Sequence, residues 1–562
     1  MTKPTLLFIA FLLILSPFKL IAQDFDELNN QAFKEKENKN YSKALELSTQ
    51  SLNKKQNARA YIIRAVCRYY LMDYEAAIED CTSALTFYSE YYTDDKEKSG
   101  IYFWRGLTYQ ELEKYEPAVS DFASALNYNY SEPAYAYWNR GLCYYNLKKY
   151  KESNDEYAKA IDKISDSKEL STLNKYRGDC YGKQGDYTKA YSFYERAISY
   201  NVDNYLAYWQ KGFYKDQEDK YDESMTNYNK AINIILTTDP SLGHDLAILY
   251  RNKALIYKAR VNYDSALIAI NKSLQADPNY TNAYKSRAEI YAAQKKYDKA
   301  RADYTNLISL EKDKEKISDL YLERSMIAMD ILDYKSTLDD LNKAIEFAPG
   351  DGMNYWHRAI LYGNKKNYQL GIKDCNTALS KYPDDSSSTS GLTKLRASLK
   401  DKAGDYSGAV DDYRASLKLY PNSTGTYYNL GRLFKTKMKN DDLGDANLEK
   451  AAELAQKYKD TTMYCYIKVF KGEKDEAIKT MLQQTEIAKT DKASYPSELH
   501  NMTCIYALAG NNIKALEYLD RSLAAGYNSY SHLVNDRDLE SIMKLPQWKT
   551  ILAKYKVPQP KW

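Results

Sequence analysis

Ten basic residues stand at intervals along this chain, each just before a small residue: Arg64, Arg105, Arg140, Arg177, Lys211, Lys253, Arg287, Arg324, Arg358 and Arg396. A row of this kind could grip a phosphate backbone. Sixteen residues after seven of them, however, comes an acid: Asp80, Asp121, Glu156, Asp303, Asp340, Asp374 and Asp412. The other three positions hold Phe193, Asn227 and Ala269, and two of those three units carry Lys in place of Arg. Arg thus travels with acid, as a planar guanidinium gripping a carboxylate through two parallel hydrogen bonds requires. The pattern predicts a structural charge ladder between paired helices, within a unit or between neighbours, with ligand binding as the alternative.

Other reactive side chains offer less. The four histidines, His244, His357, His500 and His532, are far apart in sequence and lack an H-E-x-x-H pattern or an acid at ligand spacing, so they are read as loop or helix-surface residues. No G-x-S-x-G elbow, Walker loop or G-x-G-x-x-G fingerprint occurs. Neither a catalytic residue nor a metal or other cofactor is expected. Seven cysteines, none in a C-x-x-C pair, read as small core filler: Cys67, Cys143 and Cys180 share one repeat position, Cys81 and Cys375 another. Adjacent acids such as Asp339-Asp340 and Asp411-Asp412 are ordinary helix residues.

Elements that could space such residues evenly must themselves repeat. Only 13 Pro and 21 Gly accompany 58 Tyr, too few breakers for a β architecture. With 80 basic and 76 acidic side chains the net charge is +4, which gives no global attraction to nucleic acid. A Tyr-x-x-Ala step recurs at Tyr41/Ala44, Tyr74/Ala77, Tyr115/Ala118, Tyr187/Ala190, Tyr263/Ala266, Tyr297/Ala300 and Tyr406/Ala409. Tyr150, Tyr221, Tyr334 and Tyr368 keep the tyrosine with Ser153, Ser224, Thr337 and Gly371 in the small position. Before each step lies a second amphipathic stretch, as in Tyr137, Arg140, Gly141, Tyr144 or Tyr355, Arg358, Ala359, Tyr362. A period near 34 residues with apolar or small residues at i, i+4 and i+7 predicts helical hairpins.

Aromatic, Gly/Ala, Tyr, Tyr, Ala, aromatic and Ala recurring at this spacing, with Pro278, Pro349, Pro383 or Pro421 at the close, resemble tetratricopeptide repeats. The resemblance covers about nine tenths of the chain. Weaker copies follow Leu443, where Ala446, Ala477 and Ala515 hold the small position. It implies an all-α, right-handed superhelical solenoid of about fourteen antiparallel helix hairpins whose first helices line a concave wall. Carried onto this sequence, the groove positions include Tyr69, Phe103, Trp138, Leu142, Tyr145, Trp209, Phe213 and Trp356, an aromatic strip in the early units that could anchor a protein or peptide partner. Packing between helices is the plain alternative for these rings. A glycan platform is the second functional reading, on the same strip.

The N-terminus has the layout of a secretory signal peptide: Lys3, an apolar run from Leu6 to Leu15, and Ala22 before the cleavage point. That run is short of the roughly 20 residues that span a bilayer. The first cysteine is Cys67, so a lipid anchor is not expected. The organisation expected is a leader at 1–22, an N-terminal array at 23–386, a more divergent array at 387–528 and a capping segment at 529–562. Longer connections are expected at Tyr88–Gly100, Ile164–Thr172, Leu236–Asp245 and Asp384–Gly391, the last, rich in Ser, as a loop or a break between arrays. An exported, non-catalytic interaction scaffold, periplasmic or extracellular and without a membrane span once the leader is removed, is the functional expectation.

Overall fold

A computed structural model of the chain describes residues 25–88, 95–382, 385–491 and 493–562. The leader at 1–22 and Asp384 lie outside the described residues. The rest is all-α: fourteen consecutive helix hairpins run from residue 25 to Ala524, followed by the short helices Tyr530–Asn535, Glu540–Met543 and Pro546–Lys554. Two compact units divide at Ile256/Tyr257, inside the helix Gly243–Ala259. Among the described residues no helix is long and apolar enough to cross a membrane.

Each Tyr-x-x-Ala step opens a second helix with the tyrosine at its first position, and the alanines, Ala44 to Ala409, are fully buried. Two residues before each such tyrosine the backbone turns left-handed, at Lys39, Met72, Glu113, Lys148, Gly185, Asp219, Val261, Lys295, Leu332, Lys366 and Gly404. This left-handed residue ends the first helix by turning the next amide back onto it, as Asp73 N–H donates to the Arg68 carbonyl at 2.9 Å. The turn is invisible as a glycine motif because only two of these eleven positions hold Gly.

At four ladder positions the residue after the base is a glycine that faces an aromatic ring sixteen residues further on. Gly106, Gly141, Gly178 and Gly212 lie under Phe122, Tyr157, Tyr194 and Tyr228, all fully buried. A β-carbon at Gly141 would sit 2.7 Å from the Tyr157 ring. Ala359 by contrast packs with Cys375, where less volume needs no such approach.

Several expectations change. The Ser-rich segment is not a loop: the helix Ser386–Ala403 begins inside it, because the Asp385 side chain accepts the Ser387 and Ser388 amides and caps the first turn. The other long connections shorten in the same way, since Asp95–Glu111, Ser167–Lys183 and Gly243–Ala259 are first helices of 17 residues. Ala446 is exposed, and Gly444 takes the buried small position in the first turn of its helix. A five-residue π-helix at Phe434–Met438 adds one residue before that helix and shifts the register, so that Gly431 meets Leu448 rather than the residue sixteen ahead.

Candidate functional site

All seven ladder arginines meet the carboxylate sixteen residues on, within their own hairpin. Arg64 grips Asp80 at 2.8 and 2.7 Å, Arg105 grips Asp121 at 2.7 and 2.8 Å, and Arg287 grips Asp303 at 2.9 and 2.6 Å. Arg324 with Asp340 and Arg396 with Asp412 repeat the fork, and Arg140 reaches Glu156 at 2.7 Å. The Nη1 of five of these guanidiniums then reaches the previous hairpin, donating to Thr82, Asn271, Thr305, Asn342 and Asn376. The charges are therefore consumed in tying hairpins together and are not offered to a ligand. Where the acid is missing the base turns backward: Arg177 stacks on Phe193 at 4.3 Å and donates to Asn154, Lys211 pairs with Glu195, and Lys253 donates to Asn229.

The aromatic strip is not a continuous exposed row. Phe103 is buried, stacked on Tyr130 at 4.3 Å and edge-on to Phe122, so it is core and not a partner contact. Trp356 presses on the next first helix so closely that a β-carbon at Gly391 would lie 2.7 Å from its ring. Trp138 is half-buried between Tyr135 and Tyr176, Tyr145 packs edge-on to Tyr150, and Trp209 and Leu142 are half-buried. Tyr69 donates to Glu111 at 3.3 Å, and burial, with that carboxylate, pushes its phenol up. Phe213 alone of the strip is exposed, at 37 %.

An open recess instead lies on the first helices of the first three hairpins, residues 25–37, Ala58–Tyr70 and Asp95–Glu111. Phe33, Ile62, Val66, Ile101 and Trp104 line a volume of about 560 Å³, with Lys36, Arg59 and Glu97 at its edge. Trp104 is held edge-on by Tyr69 and Tyr70 at 5.5 and 5.8 Å. A search for aromatic residues passes over Ile62 and Val66 because they are aliphatic, although Ile62 follows Tyr61 as Phe103 follows Tyr102 and Trp138 follows Tyr137.

In the second unit three first helices, Gly352–Asn364, Ser386–Ala403 and Thr424–Leu433, take contacts from the chain itself. The segment after Gly526 packs on the last hairpin and reaches back, its Leu533, Leu539, Trp548 and Leu552 sharing one apolar cluster with Leu332, Tyr334 and Leu361. Asn535 donates to the Tyr334 hydroxyl at 2.9 Å, Arg537 pairs with Asp401 at 2.6 Å, and Asp538 pairs with Arg432 at 3.0 Å. Burial, with Asp536 beside it, pushes the Asp538 carboxyl up to about 6 against the pull of Arg432 and Arg537. At the very end Lys561 N–H donates to the Leu332 carbonyl at 2.8 Å and Trp562 lies over Tyr334.

Two histidines read as unrelated surface residues come together. His500 is buried, not on a helix surface, and its ring lies 5.3 Å from that of His532, with Cys504 and Asp536 adjoining. Sequence distance concealed this, because the chain turns back on itself between them. All seven cysteines are free and buried.

Two segments, residues 105–168 and 177–204, match models of the tetratricopeptide repeat. The chain carries tetratricopeptide repeats. Its tetratricopeptide repeats are 28 % identical over 117 residues to tetratricopeptide repeat protein 21B of Xenopus laevis, covering 21 % of this chain and 8 % of that protein. A DnaJ protein P58IPK homolog A of Oryza sativa subsp. japonica is 26 % identical over 208 residues, 34 % of this chain and 42 % of that protein. The chain thus spans less than half the length of either curated relative. Among solved structures, the C-terminal part of a tetratricopeptide-repeat protein from Cytophaga hutchinsonii is similar, with 22 % identity, a TM-score of 0.36, and coverage of 44 % of this chain and 95 % of that one.

Proposed function

We propose that the chain is a non-catalytic scaffold in the cell envelope that holds an extended segment of a partner protein in the recess lined by Phe33, Ile62, Val66, Ile101 and Trp104. The observation that carries this reading is that recess, built by three successive first helices and within the range of about 300–1,000 Å³ typical of binding sites. The second unit supplies an internal precedent, since first-helix residues Asn364, Asp401 and Arg432 there hold a polypeptide segment, the chain's own C-terminus. An apolar floor with a mixed-charge edge favours a segment with an apolar anchor flanked by polar residues.

A photo-crosslinking residue placed at Ile62 should capture one partner that the same residue at exposed Glu79, on a second helix, does not. Ile62→Lys should reduce retention of that partner at least tenfold, about 1.4 kcal/mol. Retention unchanged in a folded Ile62→Lys chain would rule the recess out.

Export is supported by Lys3 and the Leu6–Leu15 run, and the absence of a cysteine directly after that run supports a cleaved leader over a lipid anchor. Fractionation with N-terminal sequencing should find the mature chain outside the cytoplasm beginning near Gln23. A cytoplasmic chain with an intact N-terminus would overturn this part of the proposal.

A further inference from the structure

Four side chains that the repeat pattern does not call for converge where the closing segment meets the last hairpin. His500 and Cys504 stand one turn apart on the helix Tyr495–Leu508 and so project from one face. His532 and Asp536 stand one turn apart on the helix Tyr530–Asn535 and the residue that ends it. Cys504 Sγ lies 3.4 Å from Asp536 Oδ2 and 3.7 Å from His500 Nε2. His500 Nε2 is 3.7 Å and His532 Nε2 3.9 Å from that same carboxylate oxygen.

The two imidazole–carboxylate separations exceed those of nitrogen–oxygen hydrogen bonds, about 2.7–3.2 Å, while the two contacts of Cys504 are of sulfur hydrogen-bond length. All four separations bear on metal binding. They are close to the edges of a tetrahedron: bonds of about 2.0–2.3 Å to zinc place N, O and S ligand atoms roughly 3.3 to 3.6 Å apart. A contraction of a few tenths of an ångström would bring His500, Cys504 and Asp536 to that geometry, and a turn of the exposed His532 side chain, which stands outside that close set, would add the fourth ligand.

On Asp536 and His532 the atoms turned away from the common point have other holds. Asp536 Oδ1 accepts the Asp538 amide at 2.9 Å, leaving Oδ2 for the cluster. His532 Nδ1 meets the Tyr527 hydroxyl at 3.2 Å, which leaves Nε2 directed at Asp536. Tyr527 also stacks flat on His500 at 4.3 Å and orients that ring, whose Nδ1 is buried without a partner. Such outer contacts are how ligand side chains are normally aimed. His500 and Cys504 are buried, whereas the His532 side chain is 60 % exposed and opens a path from solvent.

We propose that His500, Cys504, His532 and Asp536 bind one zinc-class divalent transition-metal ion, which fastens the closing segment to the last hairpin. One thiolate, two imidazoles and one carboxylate suit zinc and exclude an all-oxygen ion such as calcium or magnesium. Binding releases the Cys504 thiol proton to solvent and leaves the metal's oxidation state unchanged. The ion would hold in place the residues next to its ligands, Asn535, Arg537 and Asp538, and with them their contacts to Tyr334, Asp401 and Arg432.

The test uses the full chain, reduced and stripped of metal, titrated with Co²⁺ and then with Zn²⁺. One equivalent of Co²⁺ should bind, with a thiolate charge-transfer band and the intense d–d absorption of a tetrahedral site, and Zn²⁺ should bleach both. Cys504→Ser should abolish the charge-transfer band although six cysteines remain. His532→Ala, at an exposed position, should weaken Co²⁺ binding at least tenfold, and Tyr527→Phe roughly ten- to a hundredfold. Absence of the band in the unaltered chain, its persistence in Cys504→Ser, or unchanged affinity in a folded His532→Ala chain would each overturn the proposal. If Cys504→Ser fails to fold by circular dichroism, the His532→Ala titration decides.

Discussion

Arg358 and Asp374 stand sixteen positions apart on facing helices, and Arg358 donates two parallel hydrogen bonds of 2.7 and 2.9 Å to the Asp374 carboxylate, while its Nη1 donates at 2.8 Å to Asn342 of the hairpin before. The Tyr355 ring lies under the same guanidinium at 5.5 Å. One side chain thereby joins three helices. Lysine keeps the charge but cannot supply this geometry. Arg358→Lys is expected to cost about 1.5 to 3 kcal/mol, the worth of charge-assisted hydrogen bonds. Asp374→Asn should cost a similar amount, and the double variant less than the sum. Urea midpoints measure this, and strict additivity would show that the pair does not act as a unit.

The complementarity of glycine and aromatic predicts a second effect. A β-carbon at Gly178 would lie 2.6 Å from the Tyr194 ring, and that ring cannot retreat because its hydroxyl is held by Asp179 at 2.8 Å. Gly178→Ala should therefore destabilise by about 1–3 kcal/mol through overpacking, despite a gain of about 1 kcal/mol in helix propensity. Adding Tyr194→Ile, which puts a smaller side chain opposite the new methyl group, should recover part of the loss. Thermal unfolding of the three chains is the measurement, and an Ala variant as stable as the original would refute the close fit.

Left-handed turn residues give a test with opposite signs. Val261 is held at a φ of +58° and is exposed, a strained state for a β-branched residue. Val261→Gly should stabilise by about 0.5–1 kcal/mol, as strain is relieved at a small entropic cost. Leu332 has the same φ within a degree, +59°, but is fully buried against the closing segment. Leu332→Gly should cost about 2–5 kcal/mol, the loss of its apolar burial outweighing any relief. Denaturant unfolding should show the two shifts in opposite directions.

His357 supplies a dependence on pH. Burial, opposed by nearby Asp351, pushes its imidazole below the usual 6.5. The folded chain thus favours the neutral ring, so its contribution is complete above about pH 6.5 and is lost as pH falls from there toward the folded value, where the unfolded chain takes up the proton first. His357→Gln should flatten the loss of stability between pH 7.5 and pH 5.5 (roughly that window). Equal slopes in urea titrations of the two chains would contradict the assignment.

Much of the fold was legible because the repeat is local. A Tyr-x-x-Ala step and the small residue before it lie within one hairpin, so a period near 34 residues is enough to pair the helices, and the spacing of sixteen is enough to pair Arg324 with Asp340. The Ser-rich start of Ser386–Ala403 misled because composition outweighed the single Asp385 cap. Phe103 misled because burial of a ring depends on what stacks on it, here Tyr130 from the following loop.

By itself, then, the amino-acid order determined the helices, their pairing and the ladder, all set by contacts a few turns apart. Only tertiary structure decided which first-helix faces stay open, since Asp401 is held by Arg537, 136 residues away, whereas Ile62 and Trp104 line an open recess. It also decided that His500 and Cys504 face His532 and Asp536. No periodicity encodes such meetings, because they depend on where the chain turns back after its last repeat and on the apolar surface left there to be buried.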